Sequence, residues 1–203
     1  METKQLIEEI IDIEWDMFQH VDNMGGRASC QDDFETFYIM RYGQYSSWSP
    51  EMVEYYHQYA ASCQASHRNL ISEKYARMMQ YTDLHYYNKH LVHKLPKTAL
   101  IKYRYINRIV TAMIEWELEF IEKYPKLGNT GRPVTSDGDK TGFTSLETYA
   151  RGELETYPRE LLEMYAAYVD QLKAEGKSLS LMIQDAVVKL YGYESIEEAE
   201  ASL

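Results

Sequence analysis

Residues 3–22, TKQLIEEIIDIEWDMFQHVD, decide the fold class, because their apolar side chains recur every three or four positions. That spacing places the apolar residues on one face of an α-helix and leaves the other face to charged residues. The same spacing returns in the longest predicted helix, which begins at Pro96, runs through Phe120 and ends before Pro125. Another helix is expected from Asn69 to near Leu95. Nothing alternates with period two for long enough to predict a β-strand. The sequence therefore predicts an all-α bundle of about eight helices, folded as a single domain over residues 1–203.

Glycine, proline and capping residues indicate where these helices begin and end. Gly25-Gly26 is expected to end the first helix, and Asp32 is expected to cap the second with Glu35 three residues later. Thr144 is expected to cap a later helix in the same way. The segment that directly precedes Thr144, residues 125–143, is rich in glycine, serine and threonine and is expected to form the one long loop.

The second part of the chain repeats short motifs of the first. Ile13-Glu14-Trp15 returns as Ile114-Glu115-Trp116, and Gly26-Arg27 returns as Gly131-Arg132. Such repetition predicts an internal duplication and a pseudo-twofold arrangement, with Glu14 and Glu115 near its axis. The two repeat halves would be residues 1–95 and 96–203.

Charge and composition limit the classes of partner. The formal net charge of -11 excludes non-specific binding to nucleic acid, because phosphate contacts need clustered basic residues. No stretch approaches the roughly 20 apolar residues of a membrane span, and no signal peptide is recognisable, so we expect a cytoplasmic protein with no membrane partner. In that setting Cys30 and Cys63 are expected as free thiols.

One segment has the opposite charge to the rest. Between Leu84 and Ile114 there is no acidic residue, and the segment contains six basic side chains, namely Lys89, Lys94, Lys97, Lys102, Arg104 and Arg108. These cations either pair with acidic helices of the same molecule or receive an acidic or phosphate-bearing partner.

The densest polar segment is Gly25–Asp33, which contains Arg27, Ser29, Cys30, Gln31 and Asp32. A helix N-terminus and Arg27 would both favour a thiolate at Cys30. As an enzyme, the chain would use Cys30 as nucleophile or general acid and Asp32 or Glu14 as base. Alternatively, Cys30 is a small buried side chain, Asp32 a cap and Arg27 a structural tie.

A second polar patch surrounds Tyr149. Tyr149 and Glu153 share a helix face, and Arg151 is spaced to pair with Glu147 on another. Gly152 is unusual inside a helix, where glycine costs about 1 kcal/mol relative to alanine, and indicates a close approach of backbone or ligand.

Metal binding has only fragments of support. Cys63 and His67 are one helical turn apart, His90 and His93 nearly so, and Glu54 with His57 has the Glu-x-x-His spacing of di-metal bundles. Such bundles need that motif twice, so no metal site is predicted and no cofactor can be named. A metal-dependent oxidase remains an alternative.

Four motifs together resemble a known family. They are Glu14-Trp15, the run Gly26–Asp33 (GRASCQDD), Glu73–Met79 (EKYARMM) and Glu147–Leu154 (ETYARGEL). The chain is thereby similar to a bacterial family catalogued only as domain of unknown function 4125. The resemblance implies a bacterial source and directs attention to these polar segments, but it implies no activity.

Two functional hypotheses follow. Tyrosine supplies 19 of the aromatic residues, against five Phe and three Trp, and its hydroxyl suits half-wet clefts. The first hypothesis is therefore an enzyme with a tyrosine-lined cleft, in which Arg27, Arg151 and Arg132 hold a small anionic ligand. The alternative is a non-catalytic interaction module that binds an acidic protein through the basic span 89–108.

Overall fold

The computed structural model describes residues 2–23, 25–140 and 142–203, and every regular element in these ranges is helical. The α-helices are α1 (Thr3–Gln19), α2 (Phe34–Ser46), α3 (Pro50–Ala65), α4 (Leu70–Thr82), α5 (Leu84–Tyr86), α6 (Leu100–Lys123), α7 (Pro125–Gly128), α8 (Leu146–Leu154), α9 (Arg159–Ala174), α10 (Leu179–Leu190) and α11 (Ile196–Ser202). The all-α prediction is confirmed. The expected count of about eight is wrong, since the ranges above contain eleven α-helices.

The additional helices come from two segments of the chain, each of which the sequence predicts as a single element. The segment 69–95 is broken at Asp83 into α4 and α5, followed by a π-helical turn (Tyr87–Leu91) and a 3-10 turn (Val92–Lys94). The expected loop 125–143 contains α7 and a 3-10 turn (Ser136–Gly138). Apart from an isolated bridge between Lys140 and Phe143, the described chain contains no β-structure.

The helices form two compact units. Unit 1 contains the chain up to Ser72 together with Leu181–Ser202, and unit 2 contains Glu73–Ser180. The expected halves 1–95 and 96–203 divide the chain elsewhere, and the duplication stays a prediction. No helix in the described ranges is long and apolar enough to cross a membrane.

Unit 1 is built on α1, which packs against α2 and α3. Its core contains Ile10 and Ile11 of α1 and Val53 of α3, all with at most 1% of their surface exposed. The chain's later helix α10 packs against α2, because a Cβ at Gly43 would lie only 2.6 Å from Val187 Cγ2. Glycine at position 43 is what allows this approach.

Unit 2 is built on α6, which packs against α8 and α9. The buried side chains that α6 and α9 contribute include Ile109, Val110, Trp116 and Phe120 from α6, and Leu161, Leu162, Tyr165 and Val169 from α9. They recur at helical spacing along both helices, which explains why each helix buries one continuous face.

The first helix ends earlier than its glycines indicate. α1 ends at Gln19, because two distant side chains bind its last carbonyls. Asn69 Nδ2 donates to the Met17 carbonyl oxygen at 2.6 Å, and Gln31 Nε2 donates to that of Phe18 at 2.8 Å. The last backbone carbonyls of α1, which a helix end leaves without partners, thus find hydrogen-bond donors before the chain reaches Gly25.

The two expected caps each shift by one residue. Asp33, not Asp32, caps α2 by accepting from the Thr36 N–H at 3.0 Å. Ser145, not Thr144, caps α8 by accepting from the Thr148 N–H at 3.1 Å. Asp32 and Thr144 were wrong as caps because their oxygens accept from arginines instead.

Helix α6 is the longest in the described chain, at 24 residues, but it begins at Leu100 rather than Pro96. Arg77 holds the residues between them, since it donates to the Pro96 carbonyl oxygen at 2.7 Å and to Thr98 Oγ1 at 2.9 Å. These contacts hold Pro96 and Thr98 in positions that lie outside helix α6.

Candidate functional site

A polar cleft of about 510 Å³ opens in unit 1, where α1 and α3 end and α4 begins. Its polar lining comes mainly from Asp16 and His20 on α1, from the α3–α4 connection with His67, Arg68 and Asn69, and from Ser72 on α4. The three helix ends bring these side chains together although more than 40 positions separate the two segments.

His67 has a backbone conformation that histidine rarely adopts. It is the one non-glycine residue with positive φ in the described ranges, at 58°. The cause is the end of α3, where the Arg68 N–H bonds the Cys63 carbonyl oxygen at 2.8 Å and the His67 N–H bonds that of Gln64 at 3.0 Å. This pair of bonds is a Schellman motif, which places its left-handed residue at position 67, where glycine is usual. A strained histidine on a cleft wall indicates a role for its side chain.

Arg68 is positioned by the aromatic ring beside it. Its Nη1 donates to Tyr59 Oη at 2.6 Å, and its guanidinium carbon lies 5.7 Å from the Tyr59 ring centroid. Burial raises the pKa of Tyr59, outweighing the Arg68 charge that lowers it, so the phenol stays neutral at physiological pH. The Arg68 charge is therefore oriented without being neutralised by Tyr59.

The start of α4 adds hydrogen-bond donors to the cleft. Asn69 Oδ1 accepts from the Ser72 N–H at 2.8 Å and so caps the helix. The first N–H groups of a helix carry a partial positive charge, which favours anions nearby. The partial positive charge at the start of α4 thus adds to the positive charge of Arg68.

One carboxylate lies among these positive groups. Asp16 accepts from Gln64 Nε2 at 3.2 Å, and its Oδ1 is 3.6 Å from His20 Nδ1, which also lies 2.7 Å from the Asp16 carbonyl oxygen. Arg68 is permanently charged, so the cleft contains one fixed cation as well as the Asp16 carboxylate. The described residues contain no group of three or more side chains that could hold a metal ion.

The predicted loop residues lie close together in unit 1. Arg27 Nε donates to Asp32 at 2.9 Å, and Arg27 Nη2 donates to the Gln31 carbonyl oxygen at 2.8 Å. Gln31 is buried and its side chain binds the Ala28 N–H and the end of α1. Ser29 and Cys30 are exposed, and Cys30 is a free thiol, as is the buried Cys63. The expected free thiols are confirmed.

Glu14 has no exposed surface and lies in a different environment from Cys30. Arg41 Nε is 2.8 Å from Glu14 Oε2, and Tyr45 and Tyr56 donate to Oε1 at 2.7 and 2.6 Å. A fully buried carboxylate and an exposed thiol share no accessible surface. The hypothesis that Glu14 acts as a base for Cys30 stays a prediction without a shared site.

In unit 2, Tyr149 contacts two cations. Lys74 Nζ lies 3.5 Å from the Tyr149 ring centroid, and Arg132 Cζ lies 4.9 Å from it. Lys74 also bonds Glu153 Oε2 at 2.6 Å, and Tyr157 Oη donates to Glu153 Oε1 at 2.7 Å. Lys74 and Glu153 are almost completely buried, so this cluster joins α4 to α8 in the interior of unit 2. Its role in ligand binding stays a prediction.

Two further expectations about α8 have an explanation. Arg151 bonds Glu147 at 3.1 Å, as its spacing predicts, and also Asn107 at 2.8 Å. Burial raises the pKa of Glu147, but hydrogen bonds from Ser136 and Arg151 outweigh it and lower the pKa overall. Gly152 allows close approach of backbone, because a Cβ there would lie 2.9 Å from the Lys74 carbonyl oxygen.

Sequence reasoning missed the role of Arg77, which lies in one of the family motifs. Arg77 Nη1 is 2.8 Å from Glu155 Oε2, and both side chains are buried. Burial, together with the Glu155 charge, raises the pKa of the neighbouring Tyr87 and Tyr103. Helical spacing could have placed Arg77 one turn after Lys74, on the same face.

The cleft was also missed as a site. In the sequence, His67 was considered only as a possible metal ligand together with Cys63. Cys63 is buried, however, and His67 lies on the cleft wall. Of the other suggested metal ligands, His57 pairs through Nε2 with Glu9 at 2.7 Å, and the His90 ring lies 4.7 Å from that of Tyr86. A conformation such as that of His67 has no signal in residue spacing.

Comparison with known proteins gives one match. A family model described as a protein of unknown function (DUF4125) matches residues 4–201, which include the cleft and both buried clusters. No curated protein and no solved structure matches the chain.

Proposed function

The chain belongs to the DUF4125 family, as its four motifs indicated, and we propose that it binds a small anionic molecule in the polar cleft of unit 1. The observation that carries this proposal is His67, held at φ 58° on the cleft wall next to Arg68. A residue kept in an unfavourable conformation is maintained where its side chain contributes more than glycine would.

The chemistry of the lining supports an anion rather than an apolar ligand. Arg68 presents a planar fork of donors that fits a carboxylate or phosphate. The start of α4 adds backbone dipoles of the same sign. Asp16 limits how much negative charge the ligand can place near α1. We therefore expect a ligand with one small anionic group, such as a phosphate or a carboxylate.

The test is calorimetric titration of the purified chain with inorganic phosphate and with succinate at low and high salt. We expect binding that weakens as the salt concentration rises, because the ligand is held by charge. Arg68→Gln is expected to weaken it by about tenfold or more, because a hydrogen bond to a charged group is worth about 1.5–3 kcal/mol. Arg104→Gln, at an exposed position of unit 2, is the matched control and should leave affinity unchanged.

The sequence-based anchors are tested in the same titration. Arg27 and Arg151 pair with the carboxylates of Asp32 and Glu147, whereas Arg68 donates to the neutral Tyr59 phenol. Arg132 lies against the Tyr149 ring and donates to Thr144, and we propose these three arginines, Arg27, Arg132 and Arg151, as structural ties rather than ligand anchors. If Arg27→Ala removes phosphate binding while Arg68→Gln does not, the cleft proposal is wrong and the loop Gly25–Asp33 is the site.

Catalysis through Cys30 and Asp32 stays a hypothesis. The Cys30 thiol is exposed, which an enzyme nucleophile requires, but the Asp32 carboxylate is already bound by Arg27 at 2.8 Å. Binding without covalent chemistry is therefore the function that we propose. A Cys30→Ser variant with unchanged stability and unchanged phosphate affinity would agree with it.

A further inference from the structure

Four cations of unit 2 are exposed and unpaired. Within the parts of the chain that the structure describes, Lys89, Lys94, Lys97 and Arg104 form no ion pair. The other two basic residues of the segment are engaged, since Lys102 donates to the Glu155 carbonyl oxygen at 2.8 Å and Arg108 pairs with Asp170. Pairing within the molecule therefore accounts for only part of this positive segment.

Apolar side chains are exposed between the same cations. Leu84, Val92 and Ile101 are each exposed over more than two fifths of their surface, and Leu100 over 87%. Leu100 is the first residue of α6 and follows the loop that contains Lys97. Single exposed apolar residues are ordinary, so it is their occurrence in the same segment as four unpaired cations that makes this segment a candidate interaction surface. We name the exposed side chains of residues 84–104 the basic surface.

The backbone beneath the basic surface is held in place. Arg77 binds the Pro96 carbonyl oxygen and Thr98 Oγ1 and is itself paired with Glu155. Tyr87 is buried within the π-helical turn. Irregular turns of this kind occur often at functional sites. The surface is thus presented by a fixed rather than a loose segment.

We propose that the basic surface binds an acidic protein segment, helical, with apolar residues along one face. Charge complementarity favours an acidic occupant, and the exposed leucines favour one that also brings apolar side chains. Binding of nucleic acid would use the cations alone and would not involve the exposed side chains of Leu84 and Leu100. The net charge of -11 repels any anionic occupant, least a short segment that contacts the basic surface alone and most an extended anionic membrane. This proposal is independent of the cleft in unit 1.

The experiment uses the full chain and a synthetic helical peptide with glutamate on one face and leucine on the other. Binding is measured by fluorescence anisotropy at low and high salt. We expect the combined substitutions Lys94→Glu, Lys97→Glu and Arg104→Glu to weaken binding by about tenfold or more. The combination Lys4→Glu, Lys140→Glu and Lys189→Glu changes the net charge equally outside the surface and should have little effect.

The apolar contribution has its own matched pair. Leu100→Ser is expected to weaken binding severalfold, whereas Leu118→Ser, at another exposed position of the same helix, should not. Circular dichroism confirms that each variant is folded.

Three results would overturn the proposal. The peptide binds no better than a version with serine in place of leucine, the control combination weakens it as much as the surface combination, or the chain binds phosphatidylserine vesicles and not the peptide. Tighter binding at low salt, lost with the surface combination alone, supports it.

Discussion

At the scale of single residues, burial separates side chains that the sequence presents as equivalent. Glu14 and Glu115 stand in the same Ile-Glu-Trp tripeptide, but Glu14 has no exposed surface and binds Arg41, Tyr45 and Tyr56. Glu115 is about half exposed and pairs with Lys173 at the surface. The two glutamates of this repeated tripeptide are therefore expected to contribute very differently to stability.

Glu14→Gln is expected to lower the free energy of unfolding by about 3 kcal/mol, because it leaves the buried Arg41 charge without a counterion. Glu115→Gln is expected to cost less than about 1 kcal/mol, since its ion pair is exposed to water. Urea denaturation of both variants measures the difference. Equal effects would mean that the two positions share one environment.

His67→Gly should raise stability and lower ligand affinity together. Glycine relieves the positive φ, which we expect to stabilise the chain by about 1 kcal/mol. Removing the imidazole should weaken phosphate binding, because the anion loses a hydrogen-bond donor. Ser66→Gly is the control, because Ser66 has a φ of -93° and no strain to relieve. Thermal unfolding and phosphate titration check both effects.

At the scale of elements, sequence predicted where most helices lie but displaced several of their ends. Periodicity located α1 and α6, because each buries one face. It could not show that Asn69 and Gln31 close the end of α1, or that Arg77 delays the start of α6. Those side chains act from distant parts of the chain, where local capping rules give no information.

Gly152→Ala should destabilise the packing of α8 against α4. Alanine favours a helix by about 1 kcal/mol over glycine, but its Cβ would meet the Lys74 carbonyl oxygen at 2.9 Å and Met78 Cγ at 2.7 Å. Met78 can move and the backbone oxygen cannot, so we expect a net loss of about 2 kcal/mol. Gly131→Ala, whose Cβ meets nothing closer than 3.7 Å, should change stability by less than about 0.5 kcal/mol.

Glu117 of α6 gives a pH-dependent expectation. Burial raises its pKa above the ordinary 4.5, with a hydrogen bond to Ser180 offsetting part of the shift. The fold therefore disfavours the charged form, and stability from this group is lost as pH rises through the raised pKa. Glu117→Gln should be more stable than the wild type at neutral pH, with no advantage below 4.5. Glu122→Gln, at an exposed position of α6, should show no such trend when both are unfolded at several pH values.

At the scale of the whole molecule, the sequence predicted an all-α chain and its family but not how the chain is divided between the units. Helical periodicity reports burial of a face, not which helix covers it. α10 follows unit 2 in the sequence yet packs in unit 1 against Gly43. The cleft was likewise hidden, because its residues come from α1 and from the α3–α4 connection.

Removing residues 181–203 should unfold unit 1 and leave unit 2 helical. Without α10, the face of α2 around Gly43 and the core beneath it would be exposed to water. Trp15 and Trp48 lie in unit 1, so we expect the fluorescence of the truncated chain to shift to the red. A truncated chain with unchanged emission and unchanged unfolding would show that α10 contributes little.

The division of unit 1 between the two ends of the chain has a consequence for synthesis on the ribosome. Helices α1 to α3 emerge first, but α10 follows them only after the 108 residues of Glu73–Ser180. At translation rates of about 5–20 residues per second, they wait roughly 5 to 20 s with the surface around Gly43 uncovered. The segment that appears first is thus the last to be covered, and we expect its apolar surface to be accessible to chaperones during that interval.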